Sequence, residues 1–163
     1  MNRLYYSNNA ISSLNIAREK KVKLISLDRE LSAVQTEIFI LKLKNTRGIN
    51  VDIISKTFEE QRIESLRKEI ISNIADSIYT SILNALGAIK YSIINKDRTM
   101  AILDDHLIQN ISGFINEYYK NNEIKSAIRD RVRFSSIQYD IIQLSMHPNN
   151  LMPGLMSLQS ALR

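Results

Sequence analysis

The sequence predicts an all-α protein: two consecutive antiparallel helical hairpins, the first longer than the second, forming an elongated four-helix bundle with a short C-terminal helix. Three observations carry that prediction. Apolar residues recur at helical spacing along most of the chain, most regularly at Leu24, Leu27, Leu31, Val34, Ile38 and Leu41, the period of about 3.5 residues of a helix packed lengthwise on another. Helix breakers are scarce: the 163 residues include four glycines and two prolines, and Pro148 and Pro153 both lie in the last sixteen. The apolar ladders can also be set against one another so that facing positions add to a near-constant total, as antiparallel neighbours require.

In chain order, residues 1–9, rich in Asn and Ser around Tyr5 and Tyr6, read as a loose lead-in. A long helix is expected from about Ala10 to Lys44, weakest at Lys20, where the heptad wants a hydrophobe, and stopped by Asn45, Gly48 and Asn50. Thr57 and Glu60 form a capping-box pair, so the second helix is placed from Thr57 to about Asn95. Its ladder is Ile63, Leu66, Ile70, Ile74, Ile78, Ile82, Leu86, Ile89 and Ile93. Asp97 is the expected N-cap of a third helix over 98–120, with Met100, Leu103, Leu107, Ile111, Phe114 and Tyr118 in line. A fourth helix is expected over 123–146, with Ile124, Ile128, Val132, Ile137, Ile141 and Leu144 inward and a bend at 133–136 where the pattern slips. A short helix from Pro153 to Ala161 follows, with Leu151, Leu155, Leu158 and Leu162 on one face.

Matching Leu41 with Ile63 through Leu24 with Ile82 gives totals of 104–106 for the first hairpin, and Tyr118 with Ile124 through Met100 with Leu144 gives 242–244 for the second. The first hairpin is long enough to project past the second, with its tip near 48–52. The organisation expected is a single helical domain: lead-in 1–9, long hairpin 10–95, second hairpin 97–147 and C-terminal helix 148–163.

Composition narrows the chemistry. Cysteine is absent, which removes disulfides, thiolate catalysis and thiolate metal sites. His106 and His147 have no His, Asp or Glu at the three- or four-residue spacing that puts two metal ligands on one helix face. Glu60 and Glu64 stand between Lys56 and Lys68 in one row of four-residue steps, an ion-pair row rather than an acid–base pair. The four glycines are isolated, so no phosphate loop is present; Gly87, beside Ala85 and Ala88, fits a close helix approach. The sequence therefore predicts no enzyme, no cofactor and no metal. No apolar leader or spanning segment is found, and a cytoplasmic protein, or one exported without a cleaved signal, is expected.

Two kinds of surface remain. Phe39, Ile40 and Leu43 add apolar side chains off the seam near the hairpin tip, and residues 134–163 carry only Asp140 and Arg163 as charges, ending in the Leu151, Leu155, Leu158, Leu162 face. Those seven are the candidate partner-binding residues, for another protein or a second copy; the C-terminal face either covers its own bundle or enters a groove on another chain. Net charge is +5, with nine Lys/Arg against four Asp/Glu in residues 1–50. Arg18, Lys20, Lys21 and Lys23 on the first helix and Arg129 and Arg133 on the fourth are the candidates for a nucleic-acid contact, although they do not form a dense one-face stripe. The expected function is a non-enzymatic interaction or assembly protein, such as a chaperone, adaptor or structural subunit of a bacterial or phage assembly. The alternative is a small helical nucleic-acid-binding or regulatory protein.

Overall fold

Six α-helices make up the computed structural model, which describes residues 3–44, 50–117, 122–146 and 153–163. They are α1 (Arg3–Lys44), α2 (Val51–Ile94), α3 (Arg98–Glu117), α4 (Asn122–Arg133), α5 (Ile137–Ser145) and α6 (Pro153–Ala161). The first two, 42 and 44 residues long, pack along each other as a hairpin of roughly 65 Å. Both start earlier than expected. The lead-in is the first two turns of α1, because Ser7 and Ala10 continue the seam through Leu14 and Ala17 to Leu24 and are buried there. Helix α2 begins six residues before Thr57, since Asn50 caps it by accepting from the Asp52 amide at 2.8 Å. The Thr57 hydroxyl instead bonds the Ile53 carbonyl within the helix.

The longer α2 changes the register. Across the hairpin Lys56 meets Glu37 and Arg67 meets Asp28, pairs whose position numbers add to 93 and 95 rather than 104. The difference is about three turns. A seam that repeats every 3.5 residues matches itself after such a shift, so the ladder test cannot distinguish the two registers. Leu66, expected opposite Ile38, is exposed as a result.

Turn chemistry explains the other boundaries. After α2, the Lys96 amide bonds the Ile93 carbonyl and the Asp97 amide the Ser92 carbonyl, a Schellman closure with Lys96 at φ 56°. Asp97 then caps α3 as expected, accepting from the Met100 amide at 3.1 Å. The bend expected at 133–136 is a full break between α4 and α5. Val132 and Ile137 are both buried but stand five residues apart, 140° off one face of a continuous helix, and Ser135 takes up the freed groups through Val132 O and Ile137 N. The apolar face expected for this region is buried throughout, but among the described residues its close neighbours are α2 and α6 rather than α3. Helix α3 packs on α2 and α6. Of its expected face Leu107, Ile111 and Phe114 are buried, but Leu103 is 51% exposed, and Ala101, Asp104, Asp105, Ile108 and Ser112 extend the buried side beyond what was expected.

The core falls into two parts. The larger draws on all six helices, with Ile74, Ile78, Ile82, Leu86, Ile108, Ile128 and Leu155 at its centre. A second, separate cluster of Val34, Ile38 and Ile63, flanked by Leu27 and Leu31, is built from α1 and α2 alone. The ion pairs Asp28–Arg67 and Arg67–Glu123 tie α1, α2 and the start of α4 together at the boundary between the two.

Candidate functional site

Beyond Arg67 the hairpin continues for about 24 Å, and among the described residues its core there comes from α1 and α2 alone. Here the second core cluster faces inward, and large apolar side chains face outward: Phe39 at 62% exposure, Leu43 and Phe58 at 67%, with Ile40, Val51 and Ile54 also exposed. They are ordered. On α1, Ser32, Thr36, Phe39 and Leu43 follow at steps of four, three and four, and on α2 Ile54, Phe58, Gln61 and Ser65 do the same. All eight are exposed and uncharged, and the Thr36 hydroxyl is turned back onto the Ser32 carbonyl at 2.9 Å, leaving its methyl group outward. Each stripe alternates between one and two residues after the seam, rotations of about 100° and 200°, so its side chains point away from the other helix and the two stripes lie on the opposite outer flanks of the hairpin. The seam-flanking groove near the tip, of about 340 Å³, is lined by Glu37, Ile40, Leu41, Asp52, Ser55 and Lys56. Lys56 bridges it to Glu37 at 2.7 Å and reaches Glu59 at 3.3 Å, and these two hydrogen bonds hold its ammonium above the ordinary lysine pKa of 10.5. The expected row through Glu60 and Glu64 gives way to this arrangement.

At the other end of the molecule two adjacent acids are buried. Asp104, 1% exposed, receives Arg3 in bidentate fashion at 2.7 and 2.9 Å and the Ser92 hydroxyl at 3.2 Å. Asp105 accepts from the Gly154 amide in the first turn of α6 at 2.9 Å and from Gln109 at 3.3 Å, while its Oδ1 has no hydrogen-bond partner. A Cβ on Gly154 would stand 2.5 Å from the Asp105 carbonyl oxygen, so the glycine is what lets α6 come this close. One acid thus anchors the start of α1 and the next the start of α6. The sequence offers little sign of this, because buried aspartates are rare and their partners are 101 and 49 residues away. His106, beside them, is exposed.

The structure divides the residues singled out in the sequence. Phe39, Ile40 and Leu43 lie on the projecting end together with Val51, Ile54 and Phe58; Val51 and Ile54 fall before the expected helix start at Thr57, and Phe58 just after it. Leu155, Leu158 and Leu162 are buried in the chain's own core, so this face of α6 covers its own bundle, while Met156 on the other side is 58% exposed. Leu151 and His147 lie outside the described residues. Of the basic candidates, Arg18 and Lys23 are exposed and Lys20 is half-buried; Lys21 pairs with Glu117 and lies over the Phe114 ring. Arg18 and Lys21 border a polar cleft of about 440 Å³ with Gln109, Asn110, Gly113, Phe114 and Glu117. Arg133 pairs with Asp130, and the Nε of Arg129 is buried. These two groups sit on α1 and α4, which do not pack closely on each other among the described residues. Arg131 instead fastens α4 to α2 through Asp76 and Ser72.

Among the described residues no group of three or more His, Asp or Glu is gathered as a metal site, and no helix is long and apolar enough to cross a membrane. No protein-family model, curated protein or solved structure matches the chain.

Proposed function

We propose that this protein is a non-enzymatic interaction and assembly protein, a chaperone, adaptor or structural subunit of a bacterial or phage assembly, that works by presenting the projecting end of α1 and α2 to another polypeptide. In this reading the body, an elongated four-helix scaffold closed by α6, holds the hairpin at its base, and the protein acts in the cytoplasm or after export without a cleaved signal. One observation carries the proposal: the end of the molecule with the thinnest core also exposes Phe39, Leu43, Ile54 and Phe58 on the outer faces of its two helices. Large apolar side chains gathered at one end of a molecule mark contact with a partner more often than idle surface.

Replacing Phe58 or, as a control on the exposed face of α3, Leu103 with a photo-crosslinking phenylalanine tests the reading in the producing cell. Covalent adducts to a polypeptide from Phe58 and not from Leu103 are expected. A chain that forms adducts at neither position and is a monodisperse monomer when purified rules the reading out.

A further inference from the structure

We propose that α6 is a latch whose hold on the body is set from the other end of the chain. The Arg3–Asp104 pair keeps the neighbouring Asp105 seated beneath the first turn of α6, and freeing Arg3 lets α6 leave, uncovering its Leu155, Leu158 and Leu162 face. The device lies in the body and does not depend on what the projecting hairpin binds.

Helix α6 is tied down lightly. Its nine residues are too few for a helix that stands alone in water, so it owes its form to docking. Leu155, Leu158, Ala161 and Leu162 are buried in the larger core. Among the described residues, however, a single hydrogen bond, from the Gly154 amide to Asp105, joins α6 to another helix, and no ion pair does. On the α5 side a groove of about 220 Å³, bordered by Ile141, Ile142, Gln159 and Leu162, runs along the joint.

The one polar tie is made by an under-satisfied acid. Asp105 is 3% exposed, its Oδ1 has no hydrogen-bond partner, and among the described residues no cation pairs with it. Arg3 is forked on Asp104, one residue earlier, so one cation serves two adjacent buried carboxylates. Without Arg3, two negative charges stand side by side with the Ser92 hydroxyl, the Gln109 side chain and the Gly154 amide as their donors. A buried charge left in that position is relieved by water. Asp104 faces α2 through Ser92, within the long packed joint of α2 and α3, whereas Asp105 is covered by the lightly tied α6. Water therefore enters most readily where α6 leaves. The coupling is mutual, since whatever Arg3 does for the seating of α6, the seating of α6 does for Arg3.

The absence of cysteine makes single thiols clean reporters of these movements. Ala161→Cys, on the buried face of α6, reacts with a thiol reagent when α6 leaves, and Ala75→Cys, fully buried in α2, when the body unfolds. In the otherwise unaltered chain the first should react about tenfold faster than the second. Arg3→Gln should speed Ala161→Cys by about a further tenfold and leave it ahead of Ala75→Cys. If Arg3→Gln prevents folding, Gly154→Ala reads the link in reverse: it should speed the reaction of Ser7→Cys, buried at the start of α1, by about tenfold, again ahead of Ala75→Cys. An Ala161→Cys rate indifferent to Arg3→Gln means that Arg3 holds only the start of α1, and overturns the proposal. So does a Ser7→Cys rate indifferent to Gly154→Ala, or a common rate for Ala161→Cys and Ala75→Cys, which would make α6 part of the body's single unfolding unit.

Discussion

The two halves of the long hairpin are cut from the same pair of helices and follow the same seam, yet they are differently built. Near the body, Ala10, Ala17, Ala75, Ala85 and Ala88 are fully buried, and the Ser81 hydroxyl bonds the Ala10 carbonyl across the interface at 2.7 Å. Small side chains let the helices approach closely there, and α3 to α6 close over the isoleucines beside them. Toward the tip, among the described residues, the buried cluster is Val34, Ile38 and Ile63, and none from α3 to α6 joins it. A heptad seam therefore sets which faces meet. How much stability results depends on whether a further layer excludes water, since each fully buried aliphatic side chain contributes about 1.5–3 kcal/mol.

The largest test of that contrast lies at the base. Arg3→Ala leaves the Asp104 carboxylate buried with only the Ser92 hydroxyl beside it, a change expected to cost about 3–5 kcal/mol and to lower the urea midpoint of the whole body. The next compares like with like: Ile78→Ala, at a fully buried body position, should cost about 3–4 kcal/mol in global unfolding, and Ile38→Ala about 1–2 kcal/mol. The two should also differ in kind. Amide exchange should accelerate throughout the body for Ile78→Ala and only beyond Arg67 for Ile38→Ala. Equal global losses for the two would mean that the hairpin unfolds as one unit and that the division drawn here is wrong.

How far the sequence reveals this division can be followed through particular residues. The hairpin, its seam and its projection are legible, because the apolar period of Leu24 to Leu41 is local information. Register is not, because a repeating seam pairs equally well three turns away, and the choice rests on a single cap. Asn50 and the Thr57–Glu60 pair compete as helix starts, and the earlier one prevails by accepting from the Asp52 amide. Once α2 starts at Val51, Val51 and Ile54 become helical and join Phe58 among the exposed apolar residues of the projecting end. On α3 the inward Leu107, Ile111 and Phe114 are legible, but the buried acids beside them are not, for a different reason. Asp104 and Asp105 turn inward only because Arg3 and the Gly154 amide arrive to meet them, and no property of the sequence near 104 announces partners so far along the chain.

A smaller effect sharpens the comparison from the body side. Gly154→Ala would press a methyl group against the Asp105 backbone, and shifting α6 to relieve it should cost about 1–3 kcal/mol without altering exchange beyond Arg67. Arg67 itself marks the boundary. Burial lowers its pKa, but the hydrogen bonds to Asp28 and Glu123 outweigh burial and leave the guanidinium above its ordinary value, charged at any working pH. Arg67→Met should therefore cost about 1 kcal/mol or less. Its signature should be faster exchange on the distal side of the junction, with the body unchanged.

The smallest effect is at the tip and depends on pH. Lys56 is half-buried and its partners Glu37 and Glu59 are exposed, so these ion pairs are weak and screened by salt, but they tie α1 to α2 beside the small distal cluster. Because the folded chain holds this ammonium above 10.5, whatever the lysine contributes is complete below that value and is lost as pH rises through the higher, folded one. A spin label at Gln61→Cys reads the distal end by its mobility. At about pH 8 the Lys56→Gln chain should be more mobile than its parent, added salt should narrow the gap, and the gap should close as the parent titrates above 10.5. A gap that persists after the lysine is neutral would assign the effect to its methylene stem packing along the groove. The distal end would then be held by apolar contact, with the ion pairs contributing nothing measurable.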